Sequence, residues 1–259
     1  MLTVIKIGGN IIDDANRLLT FLADFSRIDG AKILVHGGGK IATDIGFRLG
    51  IQPQYMDGRR ITDKETLDLV TMVYGGLINK NIVAGLQELG SNAIGFTGAD
   101  ATIIKAKKRP VSDVDFGFVG DIDSSGINTG VIEAFLEMGL IPVIAPLTHD
   151  GEGNLLNTNA DTIAQEIAKA MSAVMDVQLI YCFEKNGVLL NPDDEDSVIS
   201  QIHTGDVDKL VNDRVISDGM IPKINNACEA VRSGVKRVVI GNASAINDIL
   251  KGNNGTVIQ

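Results

Sequence analysis

A lysine at position 6 lies inside the apolar run Val4-Ile5-Lys6-Ile7 and is followed at once by Gly8-Gly9. Lysine is almost never buried without a partner, so a run that reads as a strand covered on both faces gives Lys6 a purpose other than packing. An ammonium near the C-terminal end of a parallel strand stands where open α/β sheets bind ligands. The bland alternative is an edge strand whose lysine snorkels to water. A second glycine group, His36-Gly37-Gly38-Gly39-Lys40, follows Ile33-Leu34-Val35 and precedes a helical pattern marked by Ile41, Ile45, Phe47 and Leu49. Glycines at a helix N-terminus expose backbone N–H groups and admit an anion with no Cβ in the way. The loose dinucleotide pattern Gly37-x-Gly39-x-x-Ala42, with Asp57 downstream, fits the same residues, whereas the nucleotide P-loop fails because Ile41 follows Lys40.

Three further segments carry chemistry. Arg59-Arg60-Ile61-Thr62 offers a guanidinium fork for a carboxylate, or merely a solvated pair on a loop. Asn157-Thr158-Asn159-Ala160-Asp161 precedes a helical stretch and can be read as turn and N-cap residues alone. Ser217-Asp218-Gly219-Met220-Ile221-Pro222-Lys223 opens another helix, and Lys223 falls at the positive end of its dipole, which suggests an anion nearby.

The elements that must hold these residues follow from periodicity. Near-continuous apolar runs at Leu2 to Ile7, Lys32 to Val35, Asn92 to Phe96, Ile141 to Ala145, Gln178 to Cys182 and Arg237 to Ile240 suit doubly covered parallel strands. Amphipathic stretches at Thr66 to Leu89, Thr129 to Met138, Asp161 to Met171 and Ile221 to Val231 alternate with them, so the fold class is α/β with a mainly parallel sheet. Ile51 to Thr62 and Ala101 to Ile122 break the alternation and read as added hairpins or flaps. A boundary is expected near Ala173, dividing residues 1–173 from 174–259.

Composition narrows the function. The 259 residues carry 33 acidic and 23 basic side chains, a formal charge of −10, which is the wrong sign for a nucleic-acid binder. Cys182 and Cys228, and the scattered His36, His149 and His203, have no disulfide-framework or local metal spacing. No run of about 18 apolar residues occurs, so a cytoplasmic protein with no membrane partner is expected.

Taken in order, Lys6-Ile7-Gly8-Gly9, His36-Gly37-Gly38-Gly39, Arg60-Ile61-Thr62, Asn157-x-Asn159-Ala160-Asp161 and Asp218-Gly219-Met220-x-x-Lys223 resemble the amino acid kinase family over the whole chain. The resemblance is strongest to members acting on N-acetyl-L-glutamate. It implies a three-layer αβα sandwich and phosphoryl transfer from MgATP to a side-chain carboxylate, giving an acyl phosphate in arginine biosynthesis. Under it Lys6 and Lys223 neutralise the transferring group, Asp161 orients both lysines, and Gly9 offers its N–H to phosphate. Gly38, Gly39, Arg60, Asn157 and Asn159 would line the acyl amino acid pocket. Glu184, Lys185, Asn186, Gly187, Val188 and Leu189, with Val215, Ile216 and Ser217, would form the nucleotide site, and magnesium would ride mainly on the nucleotide phosphates. The resemblance also implies a homodimer across the Thr66 to Leu89 helix, a substrate lobe at 1–173 and a nucleotide lobe at 174–259. It further implies no arginine feedback and no hexamer, because the first strand begins at Leu2. Glu184 departs from the aspartate usual in the family. An N-succinyl substrate, a related carboxylate or carbamate kinase, a sensor without turnover and a nicotinamide-binding dehydrogenase remain as alternatives.

Overall fold

The computed structural model describes residues 1–56, 59–191, 193–213, 215–216 and 220–259. Asp57, Ser217, Asp218 and Gly219, which the sequence singles out, lie outside the described residues.

Fourteen strands occur in the described chain. They are β1 Leu2–Ile7, β2 Lys32–His36, β3 Gln54–Met56, β4 Arg59–Ile61, β5 Ala93–Phe96, β6 Lys107–Lys108 and β7 Gly120–Asp121, then β8 Ile141–Ile144, β9 Leu147–His149, β10 Leu155–Asn157, β11 Val177–Phe183, β12 Gln201–Ile202, β13 Arg237–Asn242 and β14 Thr256–Ile258. The α-helices are α1 Gly9–Ile12, α2 Ala15–Ser26, α3 Gly39–Leu49, α4 Lys64–Val70, α5 Asn79–Glu88, α6 Thr129–Glu137, α7 Ala160–Ser172, α8 Val207–Asn212, α9 Ile221–Arg232 and α10 Ile246–Lys251.

Eight strands form one sheet in the order β12-β14-β13-β11-β1-β2-β8-β5, with every neighbouring pair parallel except β13 and β14. The six expected apolar runs are all strands of this sheet, and the three at its centre, β11, β1 and β2, are buried almost throughout. Period-two alternation divides each between two cores. Leu2, Val4, Tyr181 and Val238 face α6, α7 and α9, whereas Ile5, Ile7, Cys182 and Val239 face α2, α4, α5 and α10. The result is the expected three-layer αβα sandwich. Lys6 shares the α7 and α9 face with Val4.

The Thr66 to Leu89 stretch is helical but not uniformly α: a π-helical segment, Thr71–Ile78, separates α4 from α5. Gly75 sits at its middle, where an added Cβ would come within 3.3 Å of Thr97 and 3.4 Å of Leu147, so close packing of the wide turn against the neighbouring layer accompanies the irregularity. The combined 25-residue helix Lys64–Glu88 is long and apolar enough to cross a membrane, yet Leu69, Val70, Ile82 and Leu86 are buried beneath it as core residues.

The Ile51 to Thr62 break is the β3–β4 hairpin, and the Ala101 to Ile122 segment contains the β6–β7 pair. The rest of the latter segment is mostly irregular, and it opens on a tight turn with Ala101 and Thr102 at φ +50° and +52°. A third hairpin, β9–β10, has no counterpart in the sequence reading.

Candidate active site

The C-terminal ends of β1 and β2 deliver the two glycine groups side by side. Gly37 N donates to Ile7 O at 3.0 Å, and a Cβ on Gly37 would lie 3.8 Å from Gly8 Cα and 4.0 Å from Gly9 N. Gly9 opens the short helix α1 behind Gly8, and Gly38 caps α3 with φ +148°. That angle suits glycine alone, and a Cβ there would also sit 2.2 Å from Ile78 Cδ1. Beneath this loop His36 is fully buried, with Nδ1 2.8 Å from Gly37 O and Nε2 3.1 Å from Asn79 Nδ2. Asn79 can only donate there, so Nε2 accepts and the proton sits on Nδ1, which donates to the Gly37 carbonyl. Burial pushes the imidazole pKa down to about 4, partly opposed by that backbone bond.

Lys6 does not snorkel. Its Nζ lies 2.8 Å from Asp161 Oδ1, and only 10% of the side chain is exposed. Asp161 stands in the first turn of α7, whose N-cap is Asn159; the Asn159 Oδ1 accepts from Asp161 N at 2.7 Å and Thr162 N at 3.1 Å. Lys223, in the first turn of α9, is half-buried; burial lowers its pKa, while Asp161 raises it, Lys6 lowers it and Glu184 raises it. Phe183 lies against both lysines, its ring centroid 5.6 Å from Lys6 Nζ and 3.9 Å from Lys223 Nζ.

Arg60, on β4, is buried with its guanidinium stacked 4.9 Å over Tyr55. Its Nη2 donates to Gly39 O at 2.9 Å and Thr43 Oγ1 at 2.8 Å, which fixes the plane of the fork. Asn157 closes β10 and donates from Nδ2 to Thr62 Oγ1 at 3.0 Å. A cavity of about 560 Å³ is lined by Gly38, Gly39, Arg60, Asn157, Asp161 and Lys223, among others. Distant segments of the sequence therefore meet in one space, at the carboxyl ends of the central strands.

The cavity also takes in Arg109, Tyr55 and Tyr74, which no sequence pattern singles out. Arg109 follows two lysines in the expected flap, with no spacing to mark it. Its Nε donates to both oxygens of Asp121 at 3.1 Å, and its plane lies 5.1 Å from Phe116, while Nη1 is buried with no hydrogen-bond partner.

The segment after β11 holds the residues expected at the nucleotide. Glu184 and Lys185 are exposed, the latter paired with Glu195 at 2.7 Å. Gly187 is pressed against Thr256, where an added Cβ would lie 2.6 Å from Oγ1, and Val188 N donates to the same hydroxyl at 2.8 Å. The Val188, Leu189 and Ile216 side chains are buried, so this segment offers a ligand backbone groups and the more exposed Asn186 and Val215. Among the described residues no cluster of three or more acidic, histidine or cysteine side chains could hold a metal.

A mainly parallel αβα sandwich with two lysines, an intervening carboxylate and two glycine loops at one strand edge has the chemistry that suits an anionic group such as a phosphate. The profile of the amino acid kinase family matches residues 1–242, and the chain belongs to that family. It is 56% identical to the acetylglutamate kinase of Bacteroides thetaiotaomicron over 258 residues, covering 100% of this chain and 98% of the relative. Among solved structures it is similar to smu.665 from Streptococcus mutans, with TM-score 0.76, 29% identity and coverage of 100% and 98%. The carbamate kinase of Giardia lamblia bound to AMP-PNP shares the fold, with TM-score 0.73 at 16% identity and coverage of 99% and 97%.

Proposed function

We propose that this chain transfers the γ-phosphoryl group of MgATP to the side-chain carboxylate of N-acetyl-L-glutamate, giving an acyl phosphate and ADP, as a step of arginine biosynthesis. The observation that carries the reading is the Lys6–Asp161 pair at 2.8 Å with Lys223 and Lys6 over the same Phe183 ring, where Asp161 and Lys223 line a cavity that Arg60 also lines. A carboxylate nucleophile is already ionised at neutral pH, so no general base is required. What the chain must supply is position and charge. Lys6, held by Asp161, and Lys223 spread positive charge over the phosphoryl oxygens in flight, and the Gly9 and Gly38 N–H groups steady the phosphates. Arg60, already fixed through Nη2, takes the α-carboxylate, and Asn157 takes the amide, with Asn159 holding α7 in register and Gly39 lining the pocket.

Residues 1–173 form the acyl amino acid lobe. Residues 174–259 form the nucleotide lobe, with Glu184, Lys185, Asn186, Gly187, Val188, Leu189, Val215, Ile216 and Ser217 along the nucleotide. Magnesium is carried mainly by the nucleotide phosphates. The protein works as a cytoplasmic homodimer.

One observation favours a second acyl group. Arg109 N donates to Val119 O, and Val119 is bridged in turn to Asn157, so Arg109 is two strands away from the residue assigned to the amide. That separation is about 10 Å, within reach of an arginine side chain meeting a four-carbon diacid. An N-succinyl group would bring a second carboxylate to the Arg109 guanidinium, which lines the cavity. The experiment is ADP release with hydroxylamine trapping of the acyl phosphate, offering N-acetyl- and N-succinyl-L-glutamate in turn. Turnover with acetyl alone supports the first reading; succinyl turnover that Arg109→Met removes supports the second. Turnover with neither overturns both.

A further inference from the structure

Phe183 ends β11 and shares a face of the sheet with Tyr181 and Lys6, since side chains two apart point alike and Lys6 is in register with Tyr181. Its ring stacks on Tyr181 with centroids 6.1 Å apart and planes inclined by 17°, so its plane is set by the core rather than by solvent. Against that ring stand both lysines of the site, Lys223 Nζ at 3.9 Å and Lys6 Nζ at 5.6 Å from the centroid. Lys6 has a carboxylate partner in Asp161, whereas among the described residues Lys223 has none within ion-pair distance. Among the described residues the charged groups that act on Lys223 are Asp161 from α7, Lys6 from β1 and Glu184 just after β11.

We propose that Phe183 is a positioning residue for phosphoryl transfer, its ring face holding the Lys223 ammonium by cation–π attraction and so fixing how the two lysines are spaced. The inference rests on the reading of the site given above. A ring orients an ammonium without cancelling its charge. A carboxylate in the same place would hold Lys223 more firmly but would compete with the phosphoryl oxygens for it. The arrangement thus divides the work: Asp161 fixes Lys6 by a salt bridge, and Phe183 fixes Lys223 while, among the described residues, its hydrogen-bond donors stay uncommitted.

The test replaces Phe183 with mono-, di- and trifluorophenylalanine, which keep the ring's shape while draining negative charge from its face. Each added fluorine is expected to lower kcat, by about tenfold in all, with the KM for the N-acylglutamate unchanged. Phe183→Tyr should retain activity, and Phe183→Leu should lose about as much as the trifluoro protein. Lysine side-chain NMR on the same series reads the interaction without turnover: the Lys223 titration moves to lower pH with each fluorine, because the ring stabilises the protonated form. A kcat and a Lys223 titration that both stay flat across folded variants overturn the proposal. If the unmodified protein makes no acyl phosphate, the phosphoryl-transfer reading falls, and the NMR series still decides whether the ring holds the lysine.

Discussion

Gly38 is where a single atom decides most. Its φ of +148° and the 2.2 Å approach of an added Cβ to Ile78 Cδ1 leave no room for a side chain. Gly38→Ala is expected to cost about 2–4 kcal/mol from backbone strain and overpacking together, and to weaken both substrates. Urea unfolding checks the first and ADP release the second. Lys223→Ala should lower kcat by about 100-fold or more with N-acylglutamate affinity nearly intact, whereas Arg60→Ala should mainly raise that KM. Normal turnover by Lys223→Ala would sink the role given to it. His36 adds a pH dependence. Its folded pKa of about 4 lies below the ordinary 6.5, so the unfolded chain binds more protons between those values. Stability contributed by the neutral ring is complete above pH 6.5 and is lost as pH falls towards 4, about 3 kcal/mol in all. His36→Asn should flatten that slope in denaturant midpoints taken at pH 7 and 4.5. The lysines are legible in the sequence because a charge in an apolar run or at a helix N-terminus violates a local rule. Phe183 and Arg109 violate none: an aromatic at a strand end and a basic residue on a hairpin become informative only when their neighbours in space are known.

The same contrast holds for elements. Six doubly covered strands announce themselves as apolar runs, because a strand buried on both faces needs no polar alternation. The β9–β10 hairpin does not, since its three-residue strands are too short to show a period. It nevertheless carries Asn157, so the part of the site built on short pairings is the part that periodicity misses. The helices α7 and α9, which carry Asp161 and Lys223, are themselves joined. Lys169 on α7 reaches Glu166 on its own helix at 3.0 Å and Glu229 on α9 at 2.6 Å. Glu166 is almost wholly buried and burial raises its pKa, with Lys169 opposing that rise, whereas Glu229 is largely exposed. Removing Lys169 therefore strands a buried carboxylate, and Lys169→Met is expected to cost about 3 kcal/mol at neutral pH. The sign with pH follows from Glu166: raised further in the variant, it binds a proton in the folded state that the unfolded chain does not, so the deficit shrinks as pH is lowered towards 5. Urea unfolding of both proteins at pH 5 and 7.5 measures it. A deficit that grows on acidification would contradict the assignment.

At the scale of the molecule, a chain with net charge −10 nevertheless brings Arg59, Arg60, Arg109 and Lys223 to one cavity, the one proposed to hold anionic substrates. The sheet that frames the site runs without interruption from β12 to β5, so residues either side of 173 share one scaffold. The long helix packs against that scaffold at β5 and β8. Its inner face presents Tyr74 and Ile78, which crowd Gly38, while its outer face leaves Met72 at 59% and Leu77 at 48% exposed. Apolar side chains on one face and contacts to the glycine loop on the other make this helix the natural seam for the proposed homodimer and a mechanical link from seam to site. Replacing both Met72 and Leu77 with glutamate places like charges opposite one another across a two-fold axis, which disfavours association without touching the core. Sedimentation velocity should then show the dimer converted to monomer. With its outer face released, the π-helical segment holds Tyr74 and Ile78 less firmly against Gly38, and kcat should fall several-fold while the fold persists by circular dichroism. An undisturbed dimer would move the seam to another face; a monomer with full activity would keep the seam here and sever its link to the glycine loop.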